Sequence, residues 1–372
     1  MNHQLVCFTE VVRDVSRGSQ KIPQSAFAPV GEIPIIDQGQ DFIAGYTDEE
    51  GSKFQSAELP VVIFGDHTRA VKYVDFPFAM GADGVKVLKP DSRCDAKYLY
   101  HFLRYFKIPS AGYSRHYKFL KELRIPLPEV AEQRRIAAIL DKADALRAKR
   151  REAIAKLNQL LQSVFLDMFG DPLTNPRQWS VTTIGENCEK VTVGIVVKPS
   201  SYYTERGVPA LRSLNIGVNE VLQENFVYFS EADNCGPLKK TILRAGDVVA
   251  VRSGQPGRAA VVPANLDGAN AIDILIARTR KDRMLPEFLA RFLNSPAGKA
   301  LVLAEQRGQV QKHLNVKQLS EAAVPLPPIA MQHRFLQKAA SVEALLCKLR
   351  VAAEKSESIF VSLQHRAFSG TL

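Results

Sequence analysis

One short segment carries the residue types of a metal-dependent nuclease: Asp91 after Pro90, then Asp95 and Lys97. That chemistry needs two carboxylates and a lysine converging on a metal from adjacent strands. The short interval between the aspartates leaves little room for such a hairpin, so the segment reads as a connection into a helix, like Leu285-Pro286-Glu287 later in the chain. The histidines, His67, His101, His116, His313, His333 and His365 among them, show no paired ligand spacing; core, surface or nucleic-acid contacts suit them better than catalysis. Cys7, Cys94, Cys188, Cys235 and Cys347 are odd in number and scattered, without metal spacing or a disulfide framework. No glycine-rich cofactor turn, no Asn/Asp-Pro-Pro-aromatic base-holding segment and no phosphate loop ending in Gly-Lys-Ser/Thr occurs. Pro327-Pro328 follows Leu326 and precedes Ile329, which makes it part of a helix start, and Gly254-Gln-Pro-Gly257-Arg258 reads as a turn between strands. The chain is therefore expected to be non-catalytic, with no metal and no cofactor of its own.

The elements that must position any binding residues come from a duplication. Ile125–Gly170 recurs without a gap as Val324–Ser369, an offset of 199 positions, and Pro126, Leu127, Pro128, Ala131, Gln133 and Arg135 return as Pro325, Leu326, Pro327, Ala330, Gln332 and Arg334. Each copy opens on Pro-Leu-Pro, which holds the backbone extended. Beyond Pro128 in the first copy and Pro328 in the second, the sequence runs to Phe169 and Ser369 without Gly or Pro, rich in Ala, Leu, Arg, Lys, Gln and Glu, so a helix is predicted in each copy. Apolar positions step by four and three through Ile139, Ala143, Leu146, Ala153, Leu157, Leu160 and Val164, with Arg150 as an interruption. The second copy places Val342, Leu345, Leu349, Ala352, Ile359 and Leu363 on the equivalent stripe, with Lys338 and Ser356 as polar members. This is a coiled-coil seam. Roughly 40 residues at about 1.5 Å each make a rod of about 60 Å. The nearest complement to each stripe is the other copy, so antiparallel pairing is expected, with a pseudo-two-fold relation and the helices acting as a ruler.

Between the rods, short β-branched and apolar runs such as Val61-Val62-Ile63-Phe64, Val85-Lys86-Val87-Leu88 and Val248-Val249-Ala250-Val251 are bounded by Gly, Pro, Asp and Asn. The two globules match in their second halves, where Tyr98-Leu-Tyr-His-Phe-Leu103 parallels Phe288-Leu-Ala-Arg-Phe-Leu293 and Gly112 parallels Gly308. Upstream, Ile63-Phe64-Gly65-Asp66 is set beside Ala245-Gly246-Asp247-Val248-Val249. The expected fold is α+β: two mixed α/β domains, 1–124 and 172–323, joined by two long antiparallel coiled-coil helices within 125–171 and 324–372. One scaffold in two copies with different loops suits the reading of two different things.

The net charge of +10, from 49 basic and 39 acidic residues, favours a polyanionic partner. The surplus lies in globule clusters: Arg69 with Lys72, Arg115-His116-Tyr117-Lys118, Lys239-Lys240 with Arg244, Arg252 with Arg258, and Arg278-Thr-Arg280-Lys281. The N-terminus has no leader pattern and no apolar stretch approaches about 18 residues. A cytoplasmic protein without membrane contact is expected.

The doubled Pro-Leu-Pro-x-x-Ala-x-Gln-x-Arg helix start, the Gly246-Asp-Val-Val turn followed by Arg252-Ser253-Gly254, and the aromatic helix followed by Gly and a rod resemble the specificity subunits of type I restriction-modification systems. The resemblance covers nearly the whole chain. It departs at Met331 and His333, which stand where the first copy has Glu132 and Arg134. The resemblance implies that each globule is a target-recognition domain and that the subunit has no catalytic residue. It also implies partners: double-stranded DNA, two methyltransferase subunits that bind S-adenosylmethionine, and endonuclease subunits that use Mg and ATP to translocate. Basic residues then position the duplex and loops read base edges in the major groove, across a split, asymmetric site whose unread gap is about one helical turn. The DNA contacts expected are His67, Arg69, Arg115, His116, Tyr117 and Lys118 in the first domain. In the second they are Arg252, Ser253, Gln255, Arg258, Arg307, Gln309, Gln311 and Lys312. Spacer or partner contacts are expected at Gln133, Arg135, Leu146, Leu157, Leu160, Gln332, Arg334, Leu345, Leu349 and Leu363. The alternatives are the recognition subunit of a related modification or phage-defence system, and a self-sufficient DNA-modifying enzyme.

Overall fold

A computed structural model describes residues 4–18, 20–54, 56–81, 84–109, 114–304 and 313–372. The chain forms two compact units, Met1–Ala153 with Leu349–Leu372, and Ile154–Lys348. The first contains β1 (Leu5–Cys7), α1 (Phe8–Val11), β2 (Val12–Asp14), β3 (Lys21–Ile22), β4 (Ile33–Ile36), β5 (Gly45–Thr47), β6 (Val61–Gly65) and β7 (Val71–Val74). It continues through β8 (Ala79–Gly81), β9 (Val85–Pro90), α2 (Ala96–Tyr105), α3 (Tyr117–Lys121) and β10 (Arg124–Pro126) into α4 (Val130–Phe169).

The apolar run of β6 is explained by burial on both sides. Side chains alternate across a strand: Val62 and Phe64 pack with Tyr98, Leu99 and Phe102 of α2, while Val61 and Ile63 pack with Ile36 and Met80 of a second sheet. The two sheets have strand orders β2-β9-β6-β7 and β3-β8-β4-β5.

The second unit runs β11 (Ser180–Thr183), β12 (Cys188–Val193), β13 (Tyr203–Thr204), β14 (Val208–Leu211), β15 (Val227–Phe229), α5 (Glu231–Cys235), β16 (Val248–Val251) and β17 (Ala259–Val261). Then come β18 (Asn270–Ala271), β19 (Ile274–Thr279), α6 (Pro286–Asn294), α7 (Pro296–Val302), α8 (Val316–Glu321), β20 (Ala323–Leu326) and α9 (Ile329–Ser369). Its main sheet, β12-β19-β16-β17, repeats the first unit's order. Val248 and Ala250 face Phe288 and Leu289 of α6, whereas Val249 and Val251 face Leu211 and Ala271. β16 is thus the counterpart of β6. Gly65-Asp66 closes β6 while Gly246-Asp247 precedes β16, so the two Gly-Asp pairs set side by side from the sequence sit at opposite ends of equivalent strands. Asp247 is buried in a two-pronged pair with Arg278, with contacts of 2.7 Å.

The repeated glutamine builds the junction of globule and rod. Gln133 is fully buried; its Oε1 accepts from Asp95 N at 2.7 Å and its Nε2 donates to Arg93 O and Pro128 O at 2.8 Å. Gln332 does the same in the second unit, accepting from Leu285 N at 2.8 Å and donating to Arg283 O at 2.9 Å and Pro327 O at 2.8 Å. Each amide joins the segment before α2 or α6 to the Pro-Leu-Pro segment. Each therefore serves its own unit rather than a partner.

Both units include parts of both long helices. In the first, Ile136 and Leu140 of α4 share a core with Phe360, Ala367 and Phe368 of α9, flanked by Ala143 and Leu363. In the second, Leu161, Phe165 and Met168 of α4 share a core with Phe335, Ala339 and Leu346 of α9. The start of each helix meets the end of the other, which makes the pairing antiparallel. The architecture is two mixed α/β domains joined by two long coiled-coil helices.

The seam is not the stripe read from hydropathy alone. The inward positions of α4 are Ile136, Leu140, Ala143, Arg147, Arg150, Ile154, Leu157, Leu161, Val164 and Met168. Those of α9 are Phe335, Ala339, Val342, Leu346, Leu349, Ala353, Ser356, Phe360, Leu363 and Ala367. Alternate members are displaced by one residue, leaving Leu146, Leu160, Leu345 and Ile359 exposed. Arg147 can occupy the seam because Asp144 and Glu357 hold its guanidinium, at 2.7 and 2.8 Å, over the Phe360 ring. Arg150 donates to Ser356.

Candidate nucleic-acid interface

In the first unit the β6–β7 turn is assembled around Asp66, which is buried. Its carbonyl accepts from His116 N at 2.8 Å and His116 Nδ1 at 2.9 Å, its Oδ1 accepts from Tyr117 N at 2.7 Å, and its own N donates to Gly84 O at 2.7 Å. A second loop docks on the same turn: His67 N donates to Gln38 Oε1 at 3.2 Å and Thr68 Oγ1 donates to Gln38 O. Beneath it the buried Lys72 ammonium binds Asp37 O at 2.9 Å and Asp41 O. Burial lowers the Lys72 pKa, with Asp37 opposing.

These bonds bring together the expected contact residues but give them unequal exposure. Arg69, Arg115 and Lys118 are exposed and His67 is half-buried. Arg69 has φ of 63° and donates to Ile108 O at 3.2 Å. His116 is buried and acts as a clasp on Asp66, out of reach of a base edge. Tyr117 is half-buried beneath the Lys86 ammonium, 4.9 Å from its ring centre, and burial pushes its hydroxyl up to about 12.

The β16–β17 turn occupies the same place in the second sheet. Arg252 is mostly buried, paired with Asp273 and 2.7 Å from His313 Nε2. Ser253 and Gln255 are exposed. Arg258 is half-buried and donates to Ile216 O at 3.3 Å, while Asn294 joins Asn219 and Ala259 across the turn base. Arg307, Gln309, Gln311 and Lys312 lie outside the described residues. The organisers Asp66, Asn294 and Asp273 were missed in the sequence. Asp66, directly after an apolar strand, carried a signal; Asp273 and Asn294 carried none.

On the rods, Arg135 pairs with Glu132 and donates to Leu372 O at 3.1 Å, and Arg334 is exposed. Leu157, Leu349 and Leu363 are half-buried seam members.

The nuclease-like segment has other work. Asp91 pairs with Arg93 at 2.7 Å and Asp95 caps α2 through Lys97 N and Tyr98 N. Among the described residues no group of three or more His, Cys, Asp and Glu could hold a metal ion, and no helix is long and apolar enough to cross a membrane.

A duplicated scaffold whose equivalent turns carry different polar side chains defines a class of paired, loop-bearing modules. Residues 7–159 match the family model described as Type I restriction modification DNA specificity domain. The chain is 26% identical over 325 residues to the type I restriction enzyme EcoR124I/EcoR124II specificity subunit of Escherichia coli, covering 82% of this chain and 78% of that one. It is 23% identical to the EcoBI specificity subunit of the same organism, over 97% and 79% of the two chains. Its fold resembles the crystal structure of the type I restriction-modification S subunit from M. genitalium, with a TM-score of 0.64 at 14% identity over 99% and 96% of the chains. Residues 7–159 thus resemble a DNA specificity domain of type I restriction-modification systems, and the chain as a whole is similar to specificity subunits of that kind.

Proposed function

We propose that this chain is a non-catalytic DNA-specificity subunit that recognises a bipartite, asymmetric site, one half per domain, and directs methyltransferase and endonuclease subunits to it. The observation that carries this reading is the equivalence of the β6–β7 and β16–β17 turns: one scaffold position, two different sets of polar side chains. Recognition is assigned to 1–124 and 172–323, and spacing to the helices within 125–171 and 324–372. Phosphate contacts are assigned to Arg69, Arg115 and Lys118, with Arg258, Arg307 and Lys312, and base contacts to His67, Ser253 and Gln255, with Gln309 and Gln311. The exposed Leu146, Leu160 and Leu345, with Arg135 and Arg334, are offered to two methyltransferase subunits. S-adenosylmethionine, Mg and ATP belong to the partners, in the cytoplasm.

The test is co-expression with the methyltransferase subunits and mapping of modified adenines across the host genome. A single split motif supports the proposal. Modification without a motif, or activity from this chain alone, contradicts it.

A further inference from the structure

The strand at the end of a sheet carries one row of main-chain groups that no neighbouring strand bonds. β7 is such a strand in the first unit and β17 in the second. In an antiparallel pair, alternate residues turn their N–H and C=O toward the partner strand and the others turn them away. Gly65 N donates to Ala70 O at 2.8 Å, so Lys72 bonds to Ile63 of β6, while Val71 and Tyr73 turn their groups outward. In the second sheet Val251 N donates to Arg258 O at 2.8 Å, and the same alternation turns Ala259 outward. There the edge is sealed. Asn294 Oδ1 accepts from Ala259 N at 3.1 Å and its Nδ2 donates to Ala259 O at 2.7 Å, with Asn219 N on the same oxygen at 3.0 Å. In the first unit Arg104 follows Leu103 as Asn294 follows Leu293, and its guanidinium is directed instead to the Tyr100 hydroxyl at 2.8 Å and Asp144 at 2.7 Å. Among the described residues none bonds to the outward groups of Val71 or Tyr73. These groups open into a cleft of about 850 Å³ whose described lining includes Arg69, Lys72, Lys97, Arg104 and Lys107 against one acid, Asp141.

We infer that the β7 edge is a docking site for an extended acidic segment of a partner protein, which joins the sheet as a further strand. Val71 and Tyr73 each offer one N–H and one C=O. Those groups decide the class of occupant. Phosphate oxygens can serve the N–H groups but have no donors for the carbonyls, whereas a peptide main chain serves both. The cations decide its sign. A second copy of this chain would bring its own cations against these, and like charges across an interface disfavour that pairing. Because Asn294 seals the equivalent edge of the second unit, the site occurs once per chain.

The test is fluorescence anisotropy with the full chain and a fluorescein-labelled peptide of alternating Glu and Val. Saturable binding of one peptide per chain is expected, and a peptide of alternating Lys and Val should not bind. Two further peptides carry N-methyl groups on every Glu or on every Val. Successive residues of a strand present their N–H groups to opposite edges, so one methylated peptide should lose binding and the other keep it. Val71→Pro removes an outward N–H that the ladder to β6 does not use, and should weaken binding roughly three- to tenfold while leaving the circular dichroism spectrum unchanged. Lys107→Glu, at an exposed position, should weaken it roughly threefold. Absence of saturable binding overturns the inference. Equal binding of both methylated peptides makes the cleft a charged patch open to any polyanion, duplex DNA included, and overturns it as well. Self-association of the chain that disappears in Val71→Pro gives the edge to a second copy and contradicts the acidic strand.

Discussion

Gln133 and Gln332 are identical residues doing identical work at equivalent junctions, and each satisfies one backbone donor and two carbonyls. Truncation strands buried polar groups, which costs about 1–3 kcal/mol. Gln133→Ala and Gln332→Ala are each expected to lose about 2 kcal/mol in denaturant unfolding; Glu at either position does not restore it, because the carbonyls need a donor. A second expectation concerns His101, whose Nε2 donates to Asp141 at 2.8 Å while its Nδ1 is buried with no hydrogen-bond partner among the described residues. Burial lowers its pKa, against the pull of Asp141. The unfolded chain therefore takes up this proton first, so the stability contributed by the neutral ring is full above about pH 6.5 and declines as pH falls from there. Asp141 adds a more acidic window. Burial raises its carboxyl, but hydrogen bonds from Lys97 and His101 outweigh that and hold it below the usual range, so its contribution is lost below about pH 4. The melting temperature should be lower at about pH 5.5 than at about pH 7.5, and His101→Gln should narrow the gap. Equal melting temperatures at the two pH values in the unaltered chain would count against this account. The residue scale was the least legible in sequence. Arg252 and His116 read as surface contacts but fold inward, because Asp273 and the Asp66 carbonyl, which receive them, are brought close only by the tertiary fold.

Among the elements, the long helices were legible in extent and pairing but not in rotation. Leu160-Leu161, Leu345-Leu346 and Ile359-Phe360 are apolar doublets in which spacing admits either member. At Arg147 hydropathy favours the neighbouring Leu146, yet the arginine takes the seam because its stem packs on Phe360 while acids hold its head. Leu140→Ala and Leu161→Ala should each cost about 2–5 kcal/mol. Leu146→Ala and Leu160→Ala should stay within about 0.5 kcal/mol in thermal or denaturant unfolding. Equal losses in both sets would return the seam to the stripe read from hydropathy. The strand equivalence of β6 and β16 was partly legible, since both are apolar runs with two buried faces. Their alignment by the Gly-Asp pair failed because a turn of that composition fits either end of a strand.

For the molecule as a whole, the duplication was legible at once and dictated two units. Less legible was that the first unit is completed by the far end of the chain. The Phe368 ring lies 5.1 to 5.5 Å from the rings of Tyr105, Phe102 and Tyr98, and Phe360 and Ala367 join the same core. A chain ending at Lys348 should therefore lose protease resistance in residues 1–153 while Ile154–Lys348 keeps it; equal resistance of both would contradict that packing. The functional claim is that each unit reads its own half of a split site. Its most direct measurement replaces residues 172–323 with the matching segment of a relative of different specificity and maps the motif methylated by the resulting complex. The account expects one half of the motif to change and the other to stay as it was. Alteration of both halves, or of neither, would contradict it.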